Sequence, residues 1–137
     1  MAADLEPPMN AVGKIEAVVR EQDTAAALAS HSSDAYPAVL STTHTIAMLE
    51  LAAGRVLTPL LQPGQLSVGV EVNVTHSAPT LPRAKVIAVA RYTGRAGKLY
   101  VFEVVAYDAA GEIMRGEHSR AIIDVERLLA TAARRNP

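Results

Sequence analysis

Three side chains that can exchange protons stand at the edges of one apolar part of the sequence. Thr42 precedes a run of apolar residues, Glu50 interrupts that run, and His76 ends the valine-rich segment that follows it. A carboxylate in apolar surroundings is costly unless a partner compensates it, and His76 is the obvious candidate. A hydroxyl, a carboxylate and an imidazole brought together have the composition of a hydrolytic site.

Each of these residues also has a simpler structural explanation. Thr42 at a helix start is typical of a cap, and eight residues of continuous helix would separate it from Glu50 by about 12 Å. The two can then join one site only if Thr42 folds back from the preceding loop or a neighbouring protomer completes the set. Glu50 and His76 can equally form a structural ion pair, or Glu50 can lie at a polar seam between protomers.

Two further residues suit a site that holds a polar ligand. Gly69 interrupts the valine-rich strand, which indicates either a bulge or the close approach of a ligand. Arg120 lies on the last predicted strand and could hold a carbonyl, a phosphate or a carboxylate such as Glu50. The spacing of the histidines does not suit zinc, and no glycine-rich phosphate loop is present, so we expect neither a metal nor a cofactor.

The elements around these residues predict a hotdog arrangement. The pattern predicts a strand at 11–20, a loop at 29–37, a helix from about Thr43 to Leu61, strands at 66–75, 84–92, 98–107 and 112–124, and a short helix at 125–135. Turns are expected at 93–97 and 108–111. In the strand at 66–75 the valines share one face, and His76 continues that parity toward the helix. One long central helix wrapped by a curved antiparallel sheet of about five strands is an α+β hotdog fold.

Composition limits the class of protein. A chain of 137 residues, half of them apolar and with a net charge of −1, indicates one globular domain over 1–137, with 1–9 as a loose arm. Scattered basic residues argue against nucleic acid, no apolar run is long enough for a membrane span, and no secretory signal is visible, so we expect a cytoplasmic protein. Because five strands cannot cover so apolar a helix, we also expect a homodimer with its pocket near the interface.

Several segments together resemble a known family. They are Tyr36–Thr42, Met48–Ala52, Gly64–Gly69, Val74–Thr80 and Gly116–Ala121. In combination they resemble the fluoroacetyl-CoA thioesterase-like branch of the hotdog acyl-CoA thioesterases, over roughly residues 10–130. The resemblance implies a dimeric enzyme that hydrolyses an acyl-CoA thioester, with Thr42, Glu50 and His76 as the catalytic set.

The resemblance also implies roles for single residues. His76 would be the general base that activates Thr42 or a water, and Glu50 would be its acid partner or would form a transient acyl anhydride. Gly69 and Arg120 would contact the acyl end of the substrate.

Tyr36 is the only ring in a stretch that is aromatic-rich in the fluoroacetyl-specific member. This implies a looser lid and a range of short or medium acyl groups.

The sequence is also compatible with two other functions. A hotdog enoyl-thioester hydratase or dehydratase is the second choice, since such enzymes usually pair an Asp with a His and the predicted helix has no Asp. A non-catalytic acyl-CoA-binding dimer is the third, because the fold alone does not establish chemistry.

Overall fold

The computed structural model of the protein describes residues 5–137, in which one long helix lies against a five-stranded antiparallel sheet. The strands are β1 (Val12–Val18), β2 (Gln65–His76), β3 (Lys85–Ala96), β4 (Leu99–Asp108) and β5 (Gly111–Asp124), and the helices are α1 (Thr42–Leu57) and α2 (Val125–Arg135). Short 3-10 turns cover Glu21–Asp23, Ala25–Leu28 and Thr58–Leu60. The order across the sheet is β1-β3-β4-β5-β2. The predicted α+β hotdog fold is confirmed.

Helix α1 begins where the sequence offers a side-chain cap. Ser41 precedes it with extended backbone, and the Ser41 Oγ accepts a hydrogen bond from the His44 amide at 3.0 Å. The helix then buries one side against the sheet, with Thr45, Met48, Leu49, Ala52, Ala53 and Leu57. A Cβ on Gly13 of β1 would overlap the carbonyl oxygen of Ala52, so the helix lies directly on that strand. This close contact fixes α1 across the inner face of the sheet.

Strand β2 does not keep the single valine face that its alternation predicts. Its pairing with β5 shifts register between Gly69 and Glu71, so Val70 is the extra residue of a β-bulge. Gly69 faces the helix before the bulge and His76 faces it afterwards, whereas Leu66 and Val70 are 50% and 54% exposed. The prediction of one buried valine face was wrong for the first half of the strand, because one extra residue reverses the alternation.

Two tight hairpins join the last three strands. Residues 97–98 form the first turn and residues 109–110 the second. The turn predicted at 93–97 was placed too early, because β3 continues past a register shift between Tyr92 and Gly94. The shift lets the strand bend without ending.

The N-terminal arm lies partly outside the described residues. Residues 1–4 of the predicted loose arm at 1–9 fall there. In the remainder, Pro7 is buried and the Tyr100 hydroxyl donates a hydrogen bond to the Leu5 carbonyl at 3.2 Å. The described part of the arm is therefore held against β4. Over residues 5–137, no helix combines the length and the apolar composition needed to cross a membrane.

Candidate active site

The end of β2 meets the start of α1 in one hydrogen-bonded pair. Thr42 is the first residue of α1, and its Oγ1 lies 2.8 Å from Nδ1 of His76, the last residue of β2. The other ring nitrogen of His76, Nε2, is buried and has no hydrogen-bond partner among the described residues. A hydroxyl in contact with an imidazole nitrogen is the arrangement that activates an oxygen nucleophile.

Two hollows flank this pair. A cavity of about 180 Å³ lies beside Thr42 and is lined by Ala25, Leu28, Tyr36, Ser41, Thr42 and Thr43. A second hollow, of about 250 Å³, lies beside His76 and is lined by Val39, His76, Ser77, Ala78 and Pro79. The Tyr36 side chain is 54% exposed, so it borders the first cavity without closing it. The Thr42–His76 pair is thus accessible from two sides.

Glu50 lies apart from His76 and pairs with Arg120. Its Oε2 is 3.3 Å from Nη1 of Arg120, and the Arg120 side chain is only 10% exposed. Ser67 holds the guanidinium from the other side, because its Oγ and its carbonyl oxygen accept from Nε and Nη2 at 3.1 and 3.0 Å. Burial lowers the pKa of Arg120, and the Glu50 carboxylate opposes that shift. The structure therefore pairs Glu50 with Arg120, one of the two partners that the sequence offered, and the Glu50–His76 pair is not formed among the described residues.

Gly69 brings the main chain of β2 against this ion pair. A Cβ at Gly69 would lie 2.5 Å from the Glu50 Oε2 and 3.2 Å from Cε1 of His118. These distances leave no room for a side chain unless a neighbour moves. Of the two interpretations drawn from the sequence, the bulge is present directly after Gly69, and the group in close approach is the Glu50 carboxylate.

His118 belongs to the same cluster, although no role for it was predicted from the sequence. It is 2% exposed, and its Nε2 lies 3.2 Å from Nη1 of Arg120. The signal available in the sequence was its spacing of two residues from Arg120 on one strand, which places both side chains on the same face.

A buried carboxylate supports the start of α1. Asp23 is 4% exposed, and its carboxylate oxygens accept from Nη2 and Nε of Arg20 at 2.8 and 3.0 Å. Its Oδ1 also lies 3.5 Å from Nδ1 of His44, and its backbone carbonyl accepts from the Ser41 amide at 3.0 Å. The hydrogen bond from Arg20 lowers the pKa of Asp23, while burial opposes this. Asp23 thus anchors the residue that caps α1.

The candidate site consists of two clusters. One is the Thr42–His76 pair, and the other contains Glu50, Gly69, His118 and Arg120. Because Thr42 and Glu50 are eight residues apart on continuous helix, the clusters are separated by roughly 12 Å along the helix axis. No group of three or more His, Cys, Asp or Glu side chains within residues 5–137 is arranged to hold a metal ion.

Known proteins resemble this chain along most of its length. The family model described as FlK, fluoroacetyl-CoA-specific thioesterase, matches residues 19–126. A fluoroacetyl-CoA thioesterase from Streptantibioticus cattleyicolor is 33% identical over 102 residues, which is 74% of this chain and 73% of the relative.

Two solved structures show the same fold. One, from work on the activity and substrate specificity of the fluoroacetyl-CoA thioesterase FlK, superposes with a TM-score of 0.90 at 29% identity, covering 97% of this chain and 100% of the other. A thioesterase superfamily member from Thermus thermophilus superposes with a TM-score of 0.86 at 25% identity, covering 96% of this chain and 94% of the other. The family match includes every residue of both clusters, and the protein belongs to the fluoroacetyl-CoA-specific thioesterase family.

Proposed function

We propose that the protein is an acyl-CoA thioesterase that hydrolyses a short or medium acyl-CoA to the free acid and CoA. The observation that carries the proposal is the 2.8 Å contact between the Thr42 Oγ1 and the His76 Nδ1 beside a cavity of about 180 Å³. Membership of a thioesterase family supports the choice of reaction. A cavity of this size suits a short acyl group, since one water occupies about 30 Å³ in the liquid. Since acyl-CoA is an intracellular metabolite, the expected compartment is the cytoplasm.

His76 acts as the general base in this proposal. Its Nδ1 takes a proton from the Thr42 hydroxyl, or from a water held by that hydroxyl, as the oxygen attacks the thioester carbonyl. The C–S bond then breaks, and the imidazolium returns the proton to the CoA thiolate. In the route through Thr42, His76 next takes a proton from a water that attacks the acyl-Thr42 ester, the ester C–O bond breaks, and the proton returns to the Thr42 oxygen as the free acid leaves. The negative charge of the intermediate develops near the N-terminus of α1, where the helix dipole favours it. The two routes differ in whether Thr42 becomes acylated, which rapid-quench mass spectrometry of the enzyme decides.

We place the complete site at the interface of a homodimer. Strand β2 is an edge of the sheet, and exposed apolar side chains lie on it and on α1, with Leu51, Val70 and Val72 being 58%, 54% and 40% exposed. Covering such an edge with a second copy satisfies its main chain and buries these side chains.

A two-fold axis near the middle of β2 would also unite the two clusters. Antiparallel pairing of the two β2 strands about Asn73, with Val70 left out as the extra residue of the bulge, sets Gly69 opposite the partner's His76. The Glu50 carboxylate beside Gly69 then accepts a hydrogen bond from Nε2 of that histidine, provided that the groups that bury this nitrogen within its own chain shift on dimerisation. With its proton on Nε2, the ring presents an unprotonated Nδ1 to Thr42, as a general base must.

Release of free thiol from a panel of acyl-CoAs tests the reaction. We expect hydrolysis by the wild-type protein and none above background for a Thr42→Ala, His76→Ala double variant that still folds. Hydration of an enoyl-CoA without thiol release would favour the hydratase, and binding without turnover would favour the non-catalytic dimer. Sedimentation at micromolar concentration should give a dimer of the 14.5 kDa chain, and a folded monomer alone would refute the interface.

Mixed dimers test whether the site is shared. Thr42→Ala and Glu50→Ala chains, each inactive alone, are refolded together. If the site spans the interface, each mixed dimer has one intact site, so random mixing restores about a quarter of wild-type activity. If each site lies within one protomer, every site carries a defect and no activity returns. Mixing Thr42→Ala with His76→Ala, which remove residues of one cluster, is the matched control and should restore none.

A further inference from the structure

His118 makes two hydrogen bonds that fix its protonation state. Its Nδ1 lies 2.8 Å from the carbonyl oxygen of Glu71, and its Nε2 lies 3.2 Å from Nη1 of Arg120. A carbonyl oxygen only accepts, so Nδ1 carries the proton, and a guanidinium only donates, so Nε2 does not. The ring is therefore neutral and held in one tautomer. Burial lowers the pKa of His118, which agrees with a neutral ring.

Both hydrogen bonds of His118 are made to groups that lie beside Glu50. The Glu71 carbonyl belongs to the bulge of β2 that turns Gly69 toward the helix, and the His118 ring lies against the space where a Gly69 side chain would stand. The Arg120 Nη1 that donates to His118 is the same nitrogen that pairs with the Glu50 Oε2 at 3.3 Å. His118 thus contacts the two groups that set where the Glu50 carboxylate lies.

We propose that His118 is a positioning residue for the thioesterase reaction, a role that rests on the function proposed above. As an acceptor it aims Nη1 of Arg120 at Glu50, and as a donor it holds the bulge beside Gly69. The carboxylate and the Gly69 main chain are then fixed before substrate arrives, and catalysis depends on such fixed geometry. His118 itself touches no reacting atom.

Two substitutions separate the two bonds. In His118→Asn the amide nitrogen can replace Nδ1 as the donor to the Glu71 carbonyl, but the side chain is too short to reach Arg120. In His118→Gln the side-chain oxygen can replace Nε2 as the acceptor from Arg120. His118→Leu retains neither bond. We expect kcat to fall by about 10- to 100-fold in His118→Leu, the scale of a misplaced catalytic group, with a smaller change in KM and partial recovery in the Gln variant.

The control separates positioning from packing. Val104→Ala removes apolar volume from the same sheet, where Val104 is fully buried and pairs with Gly116 of β5, which is not part of the cluster. It should lower stability without lowering kcat. If His118→Leu does not fold, the Gln and Asn variants still decide: wild-type kcat in both would overturn the proposal.

Nuclear magnetic resonance of the imidazole nitrogens provides a readout independent of turnover. We expect the Nδ1-protonated neutral ring to persist below pH 6.5, the ordinary pKa of histidine. The charged groups facing the ring are Arg120 on its own strand and Glu50 on α1, while the paired residues on β2 and β4 are the apolar Val72 and Phe102. A ring protonated at Nε2 would overturn the proposal even if the wild type hydrolyses acyl-CoA. Failure of the wild type to release thiol would instead overturn the proposed function.

Discussion

At the scale of single residues, the side chains of the candidate site were easier to predict from the sequence than their hydrogen-bond partners. Thr42, Glu50, His76, Gly69 and Arg120 could be selected because polar groups in apolar segments need compensation. The sequence offered Arg120 as one partner for Glu50 but could not choose it over His76. The Glu50–Arg120 and Thr42–His76 contacts join residues 70 and 34 positions apart. Local spacing contains no information about such distant neighbours.

Removing the proposed base should abolish most of the activity. His76→Ala should lower kcat by about 100-fold or more, the scale for loss of a general base, and should leave the protein folded because the ring lies at a strand end. Steady-state thiol release and circular dichroism measure the two effects. His31→Ala, which changes an exposed loop histidine, is the matched control and should keep full activity. Near wild-type turnover in His76→Ala would remove His76 from the mechanism.

The exposure of Tyr36 predicts how strongly the protein discriminates between acyl groups. Its exposed ring leaves the cavity beside Thr42 open, so discrimination that requires a dry, fitted pocket should be weak. One methylene or a similar small group is worth only about 1–3 kcal/mol in a fitted pocket. We expect kcat/KM for fluoroacetyl-CoA and acetyl-CoA to differ modestly, with propionyl- and butyryl-CoA also accepted. A preference of about 10⁴-fold for fluoroacetyl-CoA would contradict this and reveal another closing group.

At the scale of elements, helix and strand positions followed from periodicity, and Gly69 indicated either a bulge in β2 or the close approach of a ligand. The alternation of valines continues through Val70 in the sequence, so nothing local shows which residue is extra or that the alternation reverses there. The reversal appears only when β2 is paired with β5. The reversal nevertheless determines which residues of β2 can join the candidate site, because it turns both Gly69 and His76 toward α1.

Gly69→Ala should test the fit between the bulge and the Glu50 carboxylate. The new Cβ would stand 2.5 Å from Oε2, so the carboxylate must move, and we expect kcat to fall with a loss of about 1–3 kcal/mol in the free energy of unfolding. A double-mutant cycle with Glu50→Ala isolates the contact, since the alanine at 69 should be better tolerated once the carboxylate is gone. Equal losses of stability in both backgrounds would show that the strain lies elsewhere.

The Asp23 carboxylate, which supports the start of α1, should make a pH-dependent contribution to the free energy of unfolding. The pKa of Asp23 is lowered in the folded protein, so below its ordinary value of about 3.8 the unfolded chain binds more protons than the folded one. Its contribution is complete above that value and is lost as pH falls through the folded pKa. Asp23→Asn should therefore cost about 1–2 kcal/mol at pH 7, and less below pH 3.8.

Denaturant unfolding at the two pH values measures this difference. Glu117→Gln, which changes an exposed acid, is the control and should alter stability by less than about 0.5 kcal/mol at either pH. A cost for Asp23→Asn that stays constant with pH would contradict the assignment.

At the scale of the whole molecule, the fold could be predicted from the sequence because the helix cap, the strand alternation and the turn residues all favoured the same arrangement. A capped apolar helix, alternating strands and short turns all favour one helix on one antiparallel sheet. The homodimer stays a prediction. The apolar helix predicted a second copy, whereas the exposed edge of β2 and the two separate clusters indicate where that copy would have to lie.

The topology has a consequence for the order in which the molecule assembles. Strands β3, β4 and β5 follow one another through two-residue turns, whereas β1 and β2 pair with strands distant in sequence. Because local contacts lose less chain entropy, the central three strands should form first and the edges last. In the proposed dimer the second copy covers β2, so β1 remains the free edge of the sheet and should be the first strand to open. Native-state hydrogen exchange should find the amides of β1 exchanging faster than those of β4, and the reverse order would contradict this.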